Sequence, residues 1–375
     1  MKILFVGEFS GLHNNLSDAL KEMGHSTNIA ATGDGYKHFP YDIYFAHQIG
    51  KDNSLYKTIF KLNTKLQFYQ NKRIFQNNDV VQLINPIFHV PDLILLNIFS
   101  FSLLRKYNKS IYLGAFGDDY FWIKACLEGL FRYNMISENI SRYSPDEHLF
   151  DAIQTSFSKP AKQLNEYIAS NVNGIIAGAF EYFQPYKTSC YSNKTCYIPF
   201  PINISKFDYQ PNIVKNGKIR ILLGMQKGRQ CWKGTNVLLS ILNKIREKYP
   251  SDFELITPES LPYIEYIKLY KTSNVVIDQL YSYSPAINAL NALASGKIVL
   301  GGGEPEAYNL LNEDGNFPII NLIPDSKKIE KAITELLESR QNFEMMGEQG
   351  RKYVEKHHDH RNIAQKYLEY WKNNC

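Results

Sequence analysis

The chain opens on Met1–Val6, apolar without a break from Ile3, and then changes period: Leu16, Ala19, Leu20 and Met23 recur at helical spacing as far as Gly24. A continuous run marks a strand covered on both faces, and a period near 3.6 marks an amphipathic helix. A second apolar stretch, Thr27–Ala31, ends at Gly33 and Gly35, so the opening predicts β-loop-α-β. Strand patterns return at Asp79–Ile84, Ser110–Ala115 and Gly174–Ala177 with helical stretches between them. The first half therefore reads as one open α/β domain.

Between Tyr197 and Lys218 the periodicity lapses and three prolines appear, as in a linker. A second α/β series follows: strand Ile219–Leu223, helix Val237–Lys248, strand Asp252–Ile256, a helix around Leu261–Lys271, strand Val275–Asp278, a helix starting near Ser284 and strand Ile298–Gly301. His360 to Trp371 is amphipathic through Ile363, Tyr367, Tyr370 and Trp371, and long enough to pack back on the first domain. The predicted fold is α/β, with two Rossmann-like domains facing across a cleft: 1–200, a linker at 201–217, 218–356, and a terminal helix in 357–375.

Composition narrows the functional classes. The 375 residues are 44% hydrophobic and 21% charged, as in ordinary soluble proteins. The 26 Tyr and 22 Phe first fill a core and only second offer stacking to sugars or bases. Net charge is +5 with basic residues scattered, which argues against nucleic acid and is compatible with anionic substrates or an anionic membrane surface. Five cysteines (Cys126, Cys190, Cys196, Cys231, Cys375) without a C-x-x-C pair suggest neither zinc nor a disulfide scaffold, so a cytoplasmic setting is expected. The N-terminus lacks the pattern of a secretory signal. The most apolar run, Leu93–Leu104, is too short to span a bilayer and reads as a core helix, with peripheral membrane docking as the alternative.

Ligands of open α/β sheets bind at the carboxyl ends of the strands, so the cleft is the expected site. Ser284 reads as an N-cap with Pro285 in the first helical position, Gly296 as the left-handed terminator, and the amides of Ala286, Ile287 and Asn288 as an anion site. Ser284, Asn288, Asn291 and Ser295 would continue it along one polar face. The loop Gly224–Gly234 (GMQKGRQCWKG) carries Lys227, Arg229 and Lys233 between a strand and a helix, a diphosphate clamp by type, although it matches no Walker or G-x-G-x-x-G pattern. In Gly301–Glu306 (GGGEPE), Gly302 and Gly303 allow close approach of backbone amides to an anion, and Glu304 or Glu306 could bond a sugar hydroxyl.

In the first domain the paired acids Asp118 and Asp119 end a strand, where they could orient an acceptor hydroxyl or act as base; with no third ligand evident, no metal is expected. Gly7, Glu8 and Gly11 face the same cleft from the first loop. His47, His89, His357 and His358 belong to no ligand pattern and read as structural.

These residues carry a resemblance. The strand, the basic loop ending Lys233-Gly234-Thr235, the preceding Ile198-Pro199-Phe200-Pro201, and Asn288 to Glu306 (NALNALASGKIVLGGGEPE) look like the retaining glycosyltransferases of family 4, which have the GT-B fold. The likeness covers both domains in outline and is specific over Ile219–Glu306. It implies a nucleotide-sugar donor on the C-terminal domain, a glycan or lipid-linked acceptor on the N-terminal domain, no cofactor or obligatory metal, and a last helix that crosses back. Lys233 matches the family's diphosphate lysine. The arginine expected five residues earlier is Gly228, with Arg229 and Lys227 as neighbours. The paired glutamates fall on Tyr283 and Asn291; Asn291 retains a ribose-bonding role, and the missing carboxylate would come from Asp278, Glu304 or Asp118. The variant resembles a subgroup of bacterial surface-polysaccharide clusters, placing the protein in the cytoplasm or at the inner membrane face. A nucleotide-sugar epimerase, or a non-catalytic nucleotide-sugar or glycan-binding protein, are the alternatives on the same fold.

Overall fold

The computed structural model describes residues 1–46, 54–90, 93–141, 147–214 and 217–374. Seven parallel strands make the first sheet: β1 (Lys2–Val6), β2 (Ser26–Ala31), β3 (Ile43–Tyr44), β4 (Val80–Leu83), β5 (Ser110–Ala115), β6 (Gly174–Ala177) and β7 (Thr195–Tyr197), in the order β3-β2-β1-β4-β5-β6-β7. Five make the second: β8 (Ile219–Leu223), β9 (Phe253–Ile256), β10 (Val275–Ile277), β11 (Ile298–Gly301) and β12 (Ile319–Asn321), in the order β12-β11-β10-β8-β9. The central strands β1, β4, β10 and β11 bury essentially every side chain, which is why their sequences read as continuous apolar runs.

Register aligns the loops that matter. Ile277 of β10 pairs with Leu223 of β8 and Leu300 of β11, so the chain leaves all three strands at one level of the second sheet. The segments beginning at Gly224, Asp278 and Gly302 therefore start side by side.

The terminal helix, His360–Asn373, returns to the first domain. Asp359 caps it by accepting from the amides of Arg361 and Asn362. Trp371 is fully buried near Phe5, and its carbonyl accepts from Tyr112 Oη at 2.9 Å. Ile202 bridges to Asp359 where the two crossing segments meet.

Leu96–Tyr107 is the expected core helix, burying Leu96, Phe101 and Leu104. One helix differs from expectation. It runs Ile287–Ala294 with Ala286 in extended conformation before it, so Ser284 and Pro285 lie outside it. Ser284 Oγ accepts instead from the amide of Phe180 at 2.8 Å, a partner in the other domain that sequence spacing does not reveal. Gly296 does close the helix, at φ 75°.

Candidate active site in the interdomain cleft

Two of the hollows between the domains share Ser10, Lys37, Gln226, Lys233 and Ile287 on their walls. The smaller, about 110 Å³, is walled by Tyr36, Phe39, Met225, Leu261, Tyr263, Tyr266, Asp278, Asn288 and Asn291. The larger, about 350 Å³, is walled by Asp118, Glu181, Arg229, Ser284 and Ala286. Lys233 stands where they meet.

Local structure explains that position. A short helix, Gln230–Lys233, ends at Gly234, whose φ of 70° is the left-handed conformation. A Cβ on Gly234 would lie 2.8 Å from Leu280 Cβ, so glycine also lets the loop close on the segment after β10. The amide of Leu280 donates to the Lys233 carbonyl at 2.8 Å and fixes the contact. Burial pulls the Lys233 ammonium down to about 8, with Asp278 opposing and Lys37 and Arg229 adding to the fall. Among the described residues its Nζ has neither a hydrogen bond nor an ion pair. An anion would fill that place.

Arg229 lies over the Trp232 ring at 4.9 Å and donates to Asp118 Oδ2 at 2.9 Å. Burial raises the Asp118 carboxyl, and Arg229 opposes the rise. The amides of Ile287, Asn288 and Ala289 open their helix without intrahelical acceptors and carry its positive end. Asn288 is held by internal bonds: its Nδ2 donates to Asp278 Oδ1 at 2.9 Å and its Oδ1 accepts from Tyr270 Oη at 2.8 Å. Among the described residues Asn291 Oδ1 and Asp278 Oδ2 are buried without a partner, two acceptors aimed where a donor such as a hydroxyl is wanted.

The cleft thus gathers Asp118, Arg229, Lys233, Ser284, Asn288 and Asn291. The other sequence candidates lie off both hollows. Asp119 diverges from Asp118: it caps helix Tyr120–Leu127 by accepting from the Trp122 amide and takes a second bond from Tyr186 Oη, so the two acids make no chelate. Gly302 packs on backbone, where a Cβ would meet Ser282 O at 2.5 Å and Ser284 O at 2.8 Å, and the Gly303 amide donates to Asn321 Oδ1. Both glycines are closely packed and lie off the two hollows.

Glu304 accepts from Tyr133 Oη at 2.7 Å, Arg132 Nη2 at 2.6 Å and Asn321 Nδ2 at 2.9 Å, while Glu306 also pairs with Arg132. Tyr283 stacks between Tyr133 and Phe180, lies under the Arg132 guanidinium and accepts from the Arg132 amide. Tyr283, Glu304 and Glu306 therefore fasten the two domains together instead of facing a sugar. In the first loop Gly7 and Gly11 both have φ 86°, and a Cβ would strike Ile84 and Phe39 respectively. Glu8 accepts from the amide and Nδ2 of Asn14, and burial pushes its carboxyl up to about 7.

His89 bonds Ser100, His357 bonds Glu313 and His358 bonds the Phe200 carbonyl, all buried structural roles; His47 and Cys375 lie outside the described residues. Not foreseen from the sequence is Glu181, which is buried, lines the larger hollow, accepts from Ser282 Oγ and, among the described residues, has no partner at Oε2. Its signal was available: it stands four residues beyond the end of β6, in the first turn of helix Phe180–Lys187, at the ligand end of the sheet.

Known structures match this arrangement over nearly the whole chain. Sucrose-phosphate synthase from Thermosynechococcus elongatus superposes with a TM-score of 0.62 at 13% identity, covering 100% of this chain and 98% of its own. Anabaena HepE in complex with UDP and glucose gives 0.60 at 13% identity, with 98% of each chain covered. The fold is GT-B. A glycosyltransferase from Rickettsia africae also shares it, with a TM-score of 0.55 at 15% identity over 99% of this chain and 97% of its own. The GT-B second domain and terminal helix carry the match to the family described as glycosyl transferase-like, over residues 238–369. No curated protein matches the chain in sequence.

Proposed function

We propose that this protein is a glycosyltransferase that moves a sugar from a nucleoside diphosphate to a glycan or lipid-linked acceptor. The observation that carries the reading is the convergence on one cleft of Lys233, Arg229 and the open amides of helix Ile287–Ala294. Three positive groups from two adjacent loops suit a diphosphate, whose charge grows as the sugar departs. Asn291 Oδ1 and Asp278 Oδ2 would accept from ribose hydroxyls, and Tyr263 and Tyr266 would flank the base in the smaller hollow. The solved HepE complex with UDP and glucose makes uracil the first base to try.

The sugar would occupy the larger hollow between Asp118 and Glu181. Burial raises both carboxyls, and at Asp118 the neighbouring Arg229 and Lys233 oppose the rise. Asp118 then orients the acceptor hydroxyl, and transfer proceeds with retention because donor and acceptor meet on the diphosphate side. The diphosphate charge is met by protein groups, so the reading assigns no step to a metal. We place the reaction in bacterial surface-polysaccharide synthesis, in the cytoplasm or at the inner membrane face.

The test is to incubate the protein with UDP-sugars and a panel of glycan and lipid-linked acceptors, follow UDP release, and read the product anomer by NMR. Acceptor-dependent UDP release with a retained anomer supports the reading. Conversion of a UDP-sugar to its epimer without acceptor would replace it with the epimerase reading, and tight UDP binding with no turnover would leave a binding protein.

A further inference from the structure

The smaller hollow is built by both domains. Tyr36, Lys37 and Phe39 reach it from the turn that follows β2, while Met225, Tyr263 and Tyr266 come from the second domain. Phe39 is buried, and its ring centroid lies 4.6 Å from that of Tyr263, a direct contact that leaves no gap for a base between the two rings. They form one wall, and a base must lie beside it.

The turn is shaped to hold Phe39 in that wall. Gly33, Asp34, Gly35 and His38 have φ of 80°, 58°, 60° and 54°, and two of the four carry side chains that strain this conformation. Gly11 and Gly33 make the room: a Cβ on Gly11 would lie 2.7 Å from the Phe39 ring, and one on Gly33 would lie 2.9 Å from the Phe39 carbonyl oxygen. The Phe39 amide donates to the Gly33 carbonyl at 2.9 Å, and Asp34 Oδ2 accepts from the Ser10 amide at 2.8 Å and from Lys37 Nζ at 2.6 Å. The wall is therefore fixed in place. Among the described residues six non-glycine residues have positive φ; Ser10 and Ser260 line this hollow, and Asp34 and His38 shape the turn that walls it. Strain gathered at one place, and held there by hydrogen bonds, points to function. Size then selects the ligand. The hollow is about 110 Å³, where a cavity of about 150 Å³ holds a benzene ring, so it takes one ring and not two fused rings.

We propose that Phe39, carried by the N-terminal domain, sets the base specificity of the donor site: its ring closes the base pocket so that a pyrimidine enters and a purine is turned away. The proposal rests on the donor reading above and adds to it a residue from the domain to which that reading assigns the acceptor. The base is thus read by both domains at once.

The test is calorimetric titration of UDP, ADP and inorganic pyrophosphate into the full chain as wild type, Phe39→Ala and Phe39→Leu. Pyrophosphate has the diphosphate and no base, so it reports the clamp apart from the base pocket. The wild type is expected to prefer UDP to ADP by roughly 10- to 100-fold, the cost of forcing a second ring into a packed site. Phe39→Ala should bind UDP about tenfold more weakly, through the lost ring contact, and ADP at least as well as the wild type does, with pyrophosphate within about a factor of two. Phe39→Leu keeps an apolar side chain against Gly11, which protects the fold, and should shift the preference the same way by a smaller factor. If both variants keep the wild-type ratio of UDP to ADP affinity, or if UDP, ADP and pyrophosphate all weaken by the same factor, Phe39 only joins the domains and the proposal is overturned while the donor reading stands. A wild type that binds ADP as tightly as UDP overturns it as well. A wild type that takes up none of the three ligands defeats the donor reading itself, and the proposal with it.

Discussion

Arg229 and Asp118 meet across the cleft, the guanidinium of one domain donating to the carboxylate of the other at 2.9 Å. A diphosphate that takes Arg229 must draw it away from this acid. Asp118→Asn removes the competing charge, so UDP should bind a few-fold more tightly while sugar transfer, which needs Asp118 at the acceptor, falls by roughly 100-fold or more. Calorimetry and a turnover assay on the same preparation separate the two effects. Unchanged affinity together with unchanged turnover would remove Asp118 from the site.

Lys233 makes donor binding depend on pH in one direction. Burial holds its ammonium at about 8, and a bound diphosphate favours the charged form. UDP affinity should therefore be steady near pH 7 and weaken as pH rises through 8, by up to about tenfold per pH unit, with proton uptake on binding at the higher pH. Lys233→Met should give a profile without this fall. The same fall in the variant would assign the titration to another group.

Glu304 is placed as a domain fastener. Glu304→Gln should lower stability by about 1–2 kcal/mol, because it weakens charge-assisted bonds to Arg132 and Tyr133 at a buried position, while UDP affinity stays within about a factor of two. Chemical denaturation and UDP titration check the two halves. A loss of UDP affinity with unchanged stability would return Glu304 to the donor site.

Gly302→Ala puts a Cβ 2.5 Å from the Ser282 carbonyl, on backbone that cannot swing away. We expect a loss of about 1–3 kcal/mol, from overpacking alone. A thermal melt reads it, and a variant as stable as the wild type would contradict the packing described for this turn.

Much of this was legible in sequence because its cause is local. Apolar runs such as Ile3–Val6 mark buried strands, and the period of Ile363, Tyr367 and Tyr370 marks the returning helix. Lys233 and Arg229 could be placed because a strand-loop-helix pattern sends the loop to the ligand end of the sheet. What escaped depends on partners distant in sequence. Phe180 takes Ser284 away from its expected cap, Arg132 and Tyr133 take Glu304 and Glu306 away from the cleft, and Tyr186 takes Asp119 into the core. A lone acid such as Glu181 gains its meaning only when the second domain closes over it.

The central claim is that Lys233, Arg229 and the start of helix Ile287–Ala294 grip one diphosphate. Titrating UDP calorimetrically into the wild type and Lys233→Ala at pH 7 tests it most directly. The account predicts one site in the wild type and an affinity loss of about 2–3 kcal/mol, some 30- to 150-fold, in the variant. Affinities equal within a factor of two would contradict it.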